Sequence, residues 1–180
     1  MKKTLSLGLL AGAAAGLALW AGQSSPKVSL KDIELFNYVC LSHTGPYSDI
    51  PEVVNELMQD LQMQNAAPMG PLMAIFSSDP DTDPAASLSW EVGFPVSEEI
   101  MVEPPLEKKQ WTYTRVAACV HPGSYETTSE TIRFMRQWIK DSGYAAAGPV
   151  LERYTDVDPD TGNLESLKTE IWIPIKDAEK

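Results

Sequence analysis

Two glutamates hold the same place in two look-alike stretches of this chain, Trp90-Glu91-Val-Gly93-Phe-Pro95-Val and Thr169-Glu170-Ile-Trp172-Ile-Pro174-Ile. A carboxylate in the middle of a strand is costly to bury unless it has a partner. Two brought close together would raise the pKa of one of them, giving either a trap for a cation or a general base. Five aromatic residues stand on predicted strands around them: Trp90, Trp111, Tyr113, Tyr154 and Trp172. Aromatic faces beside a carboxylate are what an apolar cation requires. Glu91 and Glu170 are therefore candidate ligand contacts and candidate catalytic groups, and the five aromatics are candidate ligand contacts.

The spacing of these residues follows from a duplication. His43-Thr-Gly45-Pro-Tyr47 returns as His121-Pro-Gly123-Ser-Tyr125, and Gly70-Pro71 returns as Gly148-Pro149, each 78 residues on; Glu91 and Glu170 are 79 apart. Landmarks in one order at one spacing mark a repeated unit. Repeat one spans 28–97, a connector with two prolines spans 98–107, and repeat two spans 108–176.

Each repeat reads as β-α-β-β. In the first, a β-branched and aromatic run at 33–42 predicts a strand ending in a glycine turn. A helix start at Ser48 to Pro51 follows, with Ile50, Val53, Val54, Leu57, Met58 and Leu61 on one face. Strands at 72–76 and 87–96 close the unit as a hairpin. The second copy predicts a strand at 111–120, a helix whose buried stripe is Ile132, Met135 and Ile139 and which stops at Gly143, and a hairpin of 150–154 with 168–175. Helices against one face of a mostly antiparallel sheet make an α+β fold. Alternation puts Glu170 and Trp172 on one face of the last strand and Ile171 and Ile173, which should pack under the helices, on the other. The equivalent of Trp172 is Gly93, where the missing side chain is expected to leave space.

Other residues carry less chemistry. His43 and His121 precede equivalent glycine turns, which points to a turn role rather than to a metal site. In the same register Cys40 and Cys119 fall one residue out of step, on opposite strand faces, so buried free thiols are expected rather than a disulfide. Asp156-Val-Asp158-Pro-Asp160-Thr-Gly162 misses the calcium-loop pattern in its glycine and lacks the closing glutamate at Leu167. No Gly-x-Ser-x-Gly elbow and no glycine-rich phosphate loop is present, so triad hydrolases and nucleotide enzymes are unsupported and no cofactor is expected.

Residues 1–25 form a separate segment, leaving 26–180 as the domain. Lys2 and Lys3 precede an uncharged run at 5–22. Eighteen residues at about 1.5 Å each approach the ~30 Å hydrocarbon core, and Leu19 spoils a signal-peptide cleavage site after Ala21. A retained membrane anchor is expected, with a cleaved signal as the alternative; both put the domain outside the cytoplasm. Gly8, Gly12 and Gly16 have the spacing that lets two such helices associate as a homodimer. The chain carries 14 basic and 25 acidic residues. Without Lys2 and Lys3 that is 12 against 25, a surface that repels nucleic acid.

The order of these motifs, His-x-Gly-x-Tyr, a helix, Gly-Pro, an aromatic-ended strand, then Glu in the closing strand before a proline, resembles the GyrI-like small-molecule-binding domain. That module serves as the effector-binding part of AraC- and MerR-type regulators and also stands alone. The resemblance runs over about 28–175. It implies two β-α-β-β units in one sheet, a ligand cleft between them, and a ligand-facing role for Glu170. The stretch that carries the resemblance is the module without the regulators' DNA-binding part, so a transcriptional role is not expected to carry over. With the carboxylates and aromatics noted above, the expected function is binding of an apolar, cationic small molecule in that cleft, on the outer side of the membrane. Two alternatives stand beside it. Some free-standing relatives hydrolyse electrophilic small molecules with a cleft carboxylate, a role open to Glu170 or Glu91 with Tyr113 or Tyr154 as donor. Haem-binding proteins of the SOUL type share a related duplicated architecture, but the turn histidines offer no obvious axial ligand.

Overall fold

The computed structural model describes residues 26–155 and 167–178. The anchor segment with Gly8, Gly12 and Gly16 and the acidic run at 156–162 lie outside them. Among the described residues no helix is long and apolar enough to cross a membrane.

The chain forms strands β1 (Ser29–Asp32) and β2 (Phe36–Thr44), helix α1 (Ile50–Met63), strands β3 (Met73–Phe76) and β4 (Ser89–Val96), then β5 (Glu107–Trp111) and β6 (Arg115–Pro122), helix α2 (Thr128–Asp141), and strands β7 (Tyr144–Ala146), β8 (Val150–Tyr154) and β9 (Lys168–Asp177). All pairings are antiparallel, in the order β1-β6-β9-β8-β3-β4-β2-β5, with β7 beside β9. This is the α+β class the sequence implies.

Both helices pack on one sheet face. Val53, Leu57 and Leu61 of α1 meet Val39, Leu41, Trp90 and Val92, while Met135 and Ile139 of α2 meet Ala117, Cys119, Ile171 and Ile173. Met58 departs from the expected stripe and is exposed. Ile132 is half-buried, and Gly143, at φ +80°, follows the end of α2 as anticipated.

The repeat unit is longer than β-α-β-β, because each copy begins with a further strand. β1 and β5 occupy equivalent positions 78 apart, and each crosses to the other copy: β1 pairs with β6 of repeat two, β5 with β2 of repeat one. The single strand expected at 111–120 is therefore two strands, and the end of the connector belongs to β5. Only 112–114 separate β5, at one sheet edge, from β6 beside the other. Four Cα steps reach at most about 15 Å, whereas flat strands at ~4.8 Å spacing would set those edges much farther apart. The sheet must curl. Its inner face, away from the helices, is lined by Tyr38, Cys40, Met73, Leu151, Trp111 and Trp172, which explains a full hydrophobic core on a face that neither α1 nor α2 covers.

Candidate functional site

On that inner face the two repeat-related glutamates are held by matching partners. Lys31 of β1 binds Glu170 Oε1 at 2.5 Å, and Lys109 of β5, its equivalent, binds Glu91 Oε2 at 2.5 Å. Each exchanged strand thus delivers a lysine to the other repeat's glutamate. Arg153 adds a second contact to Glu170 at 2.7 Å and lies 4.6 Å over the Trp172 ring. Burial raises the pKa of Glu170, but the hydrogen bond and charge of Lys31, with the charge of Arg153, outweigh it and hold the carboxyl below its ordinary value. Glu91 also accepts from Tyr38 at 2.6 Å. Both carboxylates are partnered within the protein, which is the chemistry of a fold clamp.

Gly93 does not leave a space. A Cβ there would lie 2.4 Å from the Val39 carbonyl oxygen and 2.9 Å from Cys40 Cβ, so the glycine allows β2 to approach β4 closely. The empty volume lies on the other face, between α1 and α2, in a cavity of about 790 Å³. Drug-sized ligand sites span roughly 300–1,000 Å³.

The cavity wall is built twice. Tyr47 packs on Phe76 with ring centroids 4.9 Å apart, and the equivalent Tyr125 packs on Tyr154 at 4.9 Å. Val54 of α1 is matched by Ile132 of α2, and Leu72 by Val150. The copies then diverge in one direction. Where repeat one has Ile50, Pro51, Ala74 and Phe76, repeat two has Thr128, Ser129, Glu152 and Tyr154. Polar groups line both halves, Ser48, Ser78, Asp79 and Asp81 in repeat one and Glu126, Ser129, Arg133 and Arg136 in repeat two, but only repeat two sets a carboxylate on a strand beneath the helices.

Glu152 is the innermost of these, 4% exposed on a strand where Val150, Glu152 and Tyr154 point the same way. It accepts a hydrogen bond from Tyr154 Oη at 3.0 Å and has no cation partner among the described residues. Burial pushes its pKa up, and the hydroxyls of Thr128 and Tyr154 offset part of that rise. Burial, with the Glu152 charge, raises Tyr154 well above an ordinary tyrosine. Tyr47, also on the wall, is pushed up to about 12, first by burial and then by the Glu152 charge. A buried, unpaired carboxylate amid three tyrosines and a phenylalanine is suited to a positively charged apolar guest.

Of the seven site residues expected from sequence, Tyr154 lines this cavity. Trp90 is buried beneath α1 and donates to the Gly45 carbonyl at 2.9 Å. Trp111 donates to the Tyr113 carbonyl at 3.0 Å, and both, with Trp172, belong to the inner-face core. Glu91 and Glu170 lie on that face too. His43 and His121 tie their turns to the following helices through Asp49 at 3.1 Å and Thr127 at 3.0 Å, positions that are themselves repeat equivalents. Cys40 and Cys119 are free and buried, in the inner-face and helix-face cores respectively. Glu152 is not among the motifs the two copies share; its signal in the sequence is a difference, a mid-strand glutamate where the other copy has Ala74.

The sequence matches, over residues 26–176, the family described as GyrI-like small molecule binding domain. It is 26% identical, over 141 residues that make up 75% of this chain and 88% of that protein, to a DNA gyrase inhibitor of Erwinia billingiae (strain Eb661). The fold is similar to the C-terminal domain of EcmrR, with TM-score 0.75 and 15% identity over 86% of this chain and 100% of that one. In the EcmrR–DNA complex the TM-score is 0.76 at 14% identity over 85% of this chain, which spans only 58% of the EcmrR chain there. SAV2435, solved bound to tetraphenylphosphonium, matches with TM-score 0.59 and 15% identity over 83% of this chain and 94% of that one.

Proposed function

Because the chain belongs to the GyrI-like small-molecule-binding domains, we propose that it binds an apolar cation in the cavity between α1 and α2, with Glu152 as the counter-charge. The observation that carries this reading is Glu152, a buried carboxylate with no cation partner among the described residues, in a cavity whose wall includes the rings of Tyr47, Phe76, Tyr125 and Tyr154. Ionising Glu152 costs energy while the cavity is empty, as its raised pKa records. A cation recovers that cost on entry, and the rings of Tyr47, Phe76, Tyr125 and Tyr154 add cation–π attraction, about 0.5–2 kcal/mol for each well-placed face. The relative bound to tetraphenylphosphonium supports the ligand class. The acidic balance of the chain would draw cations toward the surface.

The apolar run 5–22 would tether the domain to a membrane, facing outward. Fractionation of the full chain, with protease added to intact cells, tests this: the domain should follow the membrane and be cut from outside, and recovery in the cytoplasm would contradict it.

Ligand binding is tested by thermal shift with two ions of one shape and opposite charge. Tetraphenylphosphonium at about 100 times its dissociation constant should add about 2.7 kcal/mol of stability, and tetraphenylborate should add nothing. Equal shifts from both would leave an apolar cavity without charge selection. A hydrolase reading draws on the same raised pKa, with Glu152 as base and Tyr154 as donor. Release of product from a strained electrophile, lost in Glu152→Gln, would favour it.

A further inference from the structure

The mouth of the cavity carries an ion pair with no counterpart in the other half. Arg136 of α2 binds the Asp79 carboxylate on the loop after β3, joining repeat two to repeat one. The equivalent of Arg136 is Met58, on the exposed side of α1. Beyond this pair lies a second pocket of about 310 Å³ that reaches Gly148 and Pro149. Phe76, Ser78, Asp79, Arg136 and Val150 border both spaces. The ion pair stands where the two meet.

Its two members are held unequally. The Asp79 Oδ1 accepts from the Asp81 backbone N–H at 3.0 Å, and the Asp79 N–H donates to Asp83 Oδ2 at 2.9 Å, so the loop fixes its own acid. The loop is further fastened by Ser78, whose hydroxyl accepts from the Ser89 N–H at 2.9 Å. Arg136 is 40% exposed and Asp79 is its only partner among the described residues. The member able to swing is the arginine, whose exposed pairing is weak enough for a ligand to displace.

We propose that the Asp79–Arg136 pair is a partition that sets the length of ligand the site accepts. Closed, it confines the guest to the space over Glu152; opened, it joins the side pocket to that space, so that a cation with a long apolar tail can extend past Val150 toward Pro149. Arg136 acts here as a specificity-determining residue, and the inference rests on the cation-binding reading above.

The test is a series of alkyltriphenylphosphonium ions from methyl to decyl, titrated into the full chain and into Arg136→Ala and Asp79→Asn. The two substitutions change the charge near a cationic guest in opposite directions, so absolute affinities should move oppositely. The ratio of decyl to methyl affinity should nonetheless rise in both, by fivefold or more over wild type. An unchanged ratio in both variants, with methyl still bound, would overturn the partition and leave the cation site standing. A ratio raised in Arg136→Ala but lowered in Asp79→Asn would reduce the pair to a charge effect and also overturn it. Failure of wild type to bind the methyl ion would remove the cation site and the partition with it.

Discussion

Glu152 of β8 and Ala74 of β3 stand directly opposite each other in the sheet, and they are also the two positions that the 78-residue repeat relates to one another. No other pair in that ladder has this property. The pseudo-two-fold axis therefore passes between a carboxylate and a methyl group. Two glutamates there would have repelled each other at close range; the divergence of the copies leaves one carboxyl group beside the axis, opposite a buried methyl.

Glu152 and Glu170 should titrate against stability with opposite signs. The folded pKa of Glu152 is raised, so its folding penalty is absent below the ordinary glutamate value of about 4.3 and grows as pH rises toward the folded value. Denaturant titrations of Glu152→Gln should show the variant gaining on wild type across that interval and then holding a constant lead. A lead that does not change with pH would contradict the raised pKa.

The folded pKa of Glu170 is lowered, so its contribution is present above about 4.3 and is lost as pH falls through the folded value. Glu170→Gln should be less stable than wild type at neutral pH, with the gap closing in acid. Lys31→Met should show the same closing gap in milder form, since Lys31 is 45% exposed and Arg153 remains.

Gly93→Ala should be among the costliest single-methyl changes in the chain, about 2 kcal/mol or more by chemical denaturation, because the added carbon would lie 2.4 Å from a backbone oxygen. A loss under about 0.5 kcal/mol would mean that β2 and β4 can part without penalty.

Both thiols should stay silent to a chromogenic disulfide reagent in the native protein and react on unfolding. Burial raises the pKa of each, and the thiolate is the reactive form. Because they belong to cores on opposite faces of the sheet, mild oxidation should yield no intramolecular disulfide, as checked by mass.

Much of this fold was legible from local pattern. The stripe Val53, Leu57, Leu61 and the alternation of Glu170 with Ile171 are local properties, and both lie as expected. The exchanged strands were not legible, because β1 is four exposed residues without alternation and its pairing with β6 is a contact between distant segments. The candidate site was read from the same shared motifs that specify the fold, and residues kept in both copies are those the symmetric scaffold needs: Lys31 with Glu170, Lys109 with Glu91, and the two turn histidines. The copies differ beside the cavity at Ala74 against Glu152 and Phe76 against Tyr154, positions that a comparison of shared motifs passes over.

Calorimetric titration of tetraphenylphosphonium into wild type, Glu152→Gln and Glu170→Gln separates the two sheet faces, since the two glutamates lie on opposite sides of one sheet. Affinity should fall tenfold or more, about 1.4 kcal/mol, for Glu152→Gln and stay unchanged for folded Glu170→Gln. Loss at Glu170 with none at Glu152 would contradict binding over Glu152 and move the site to the inner face of the sheet.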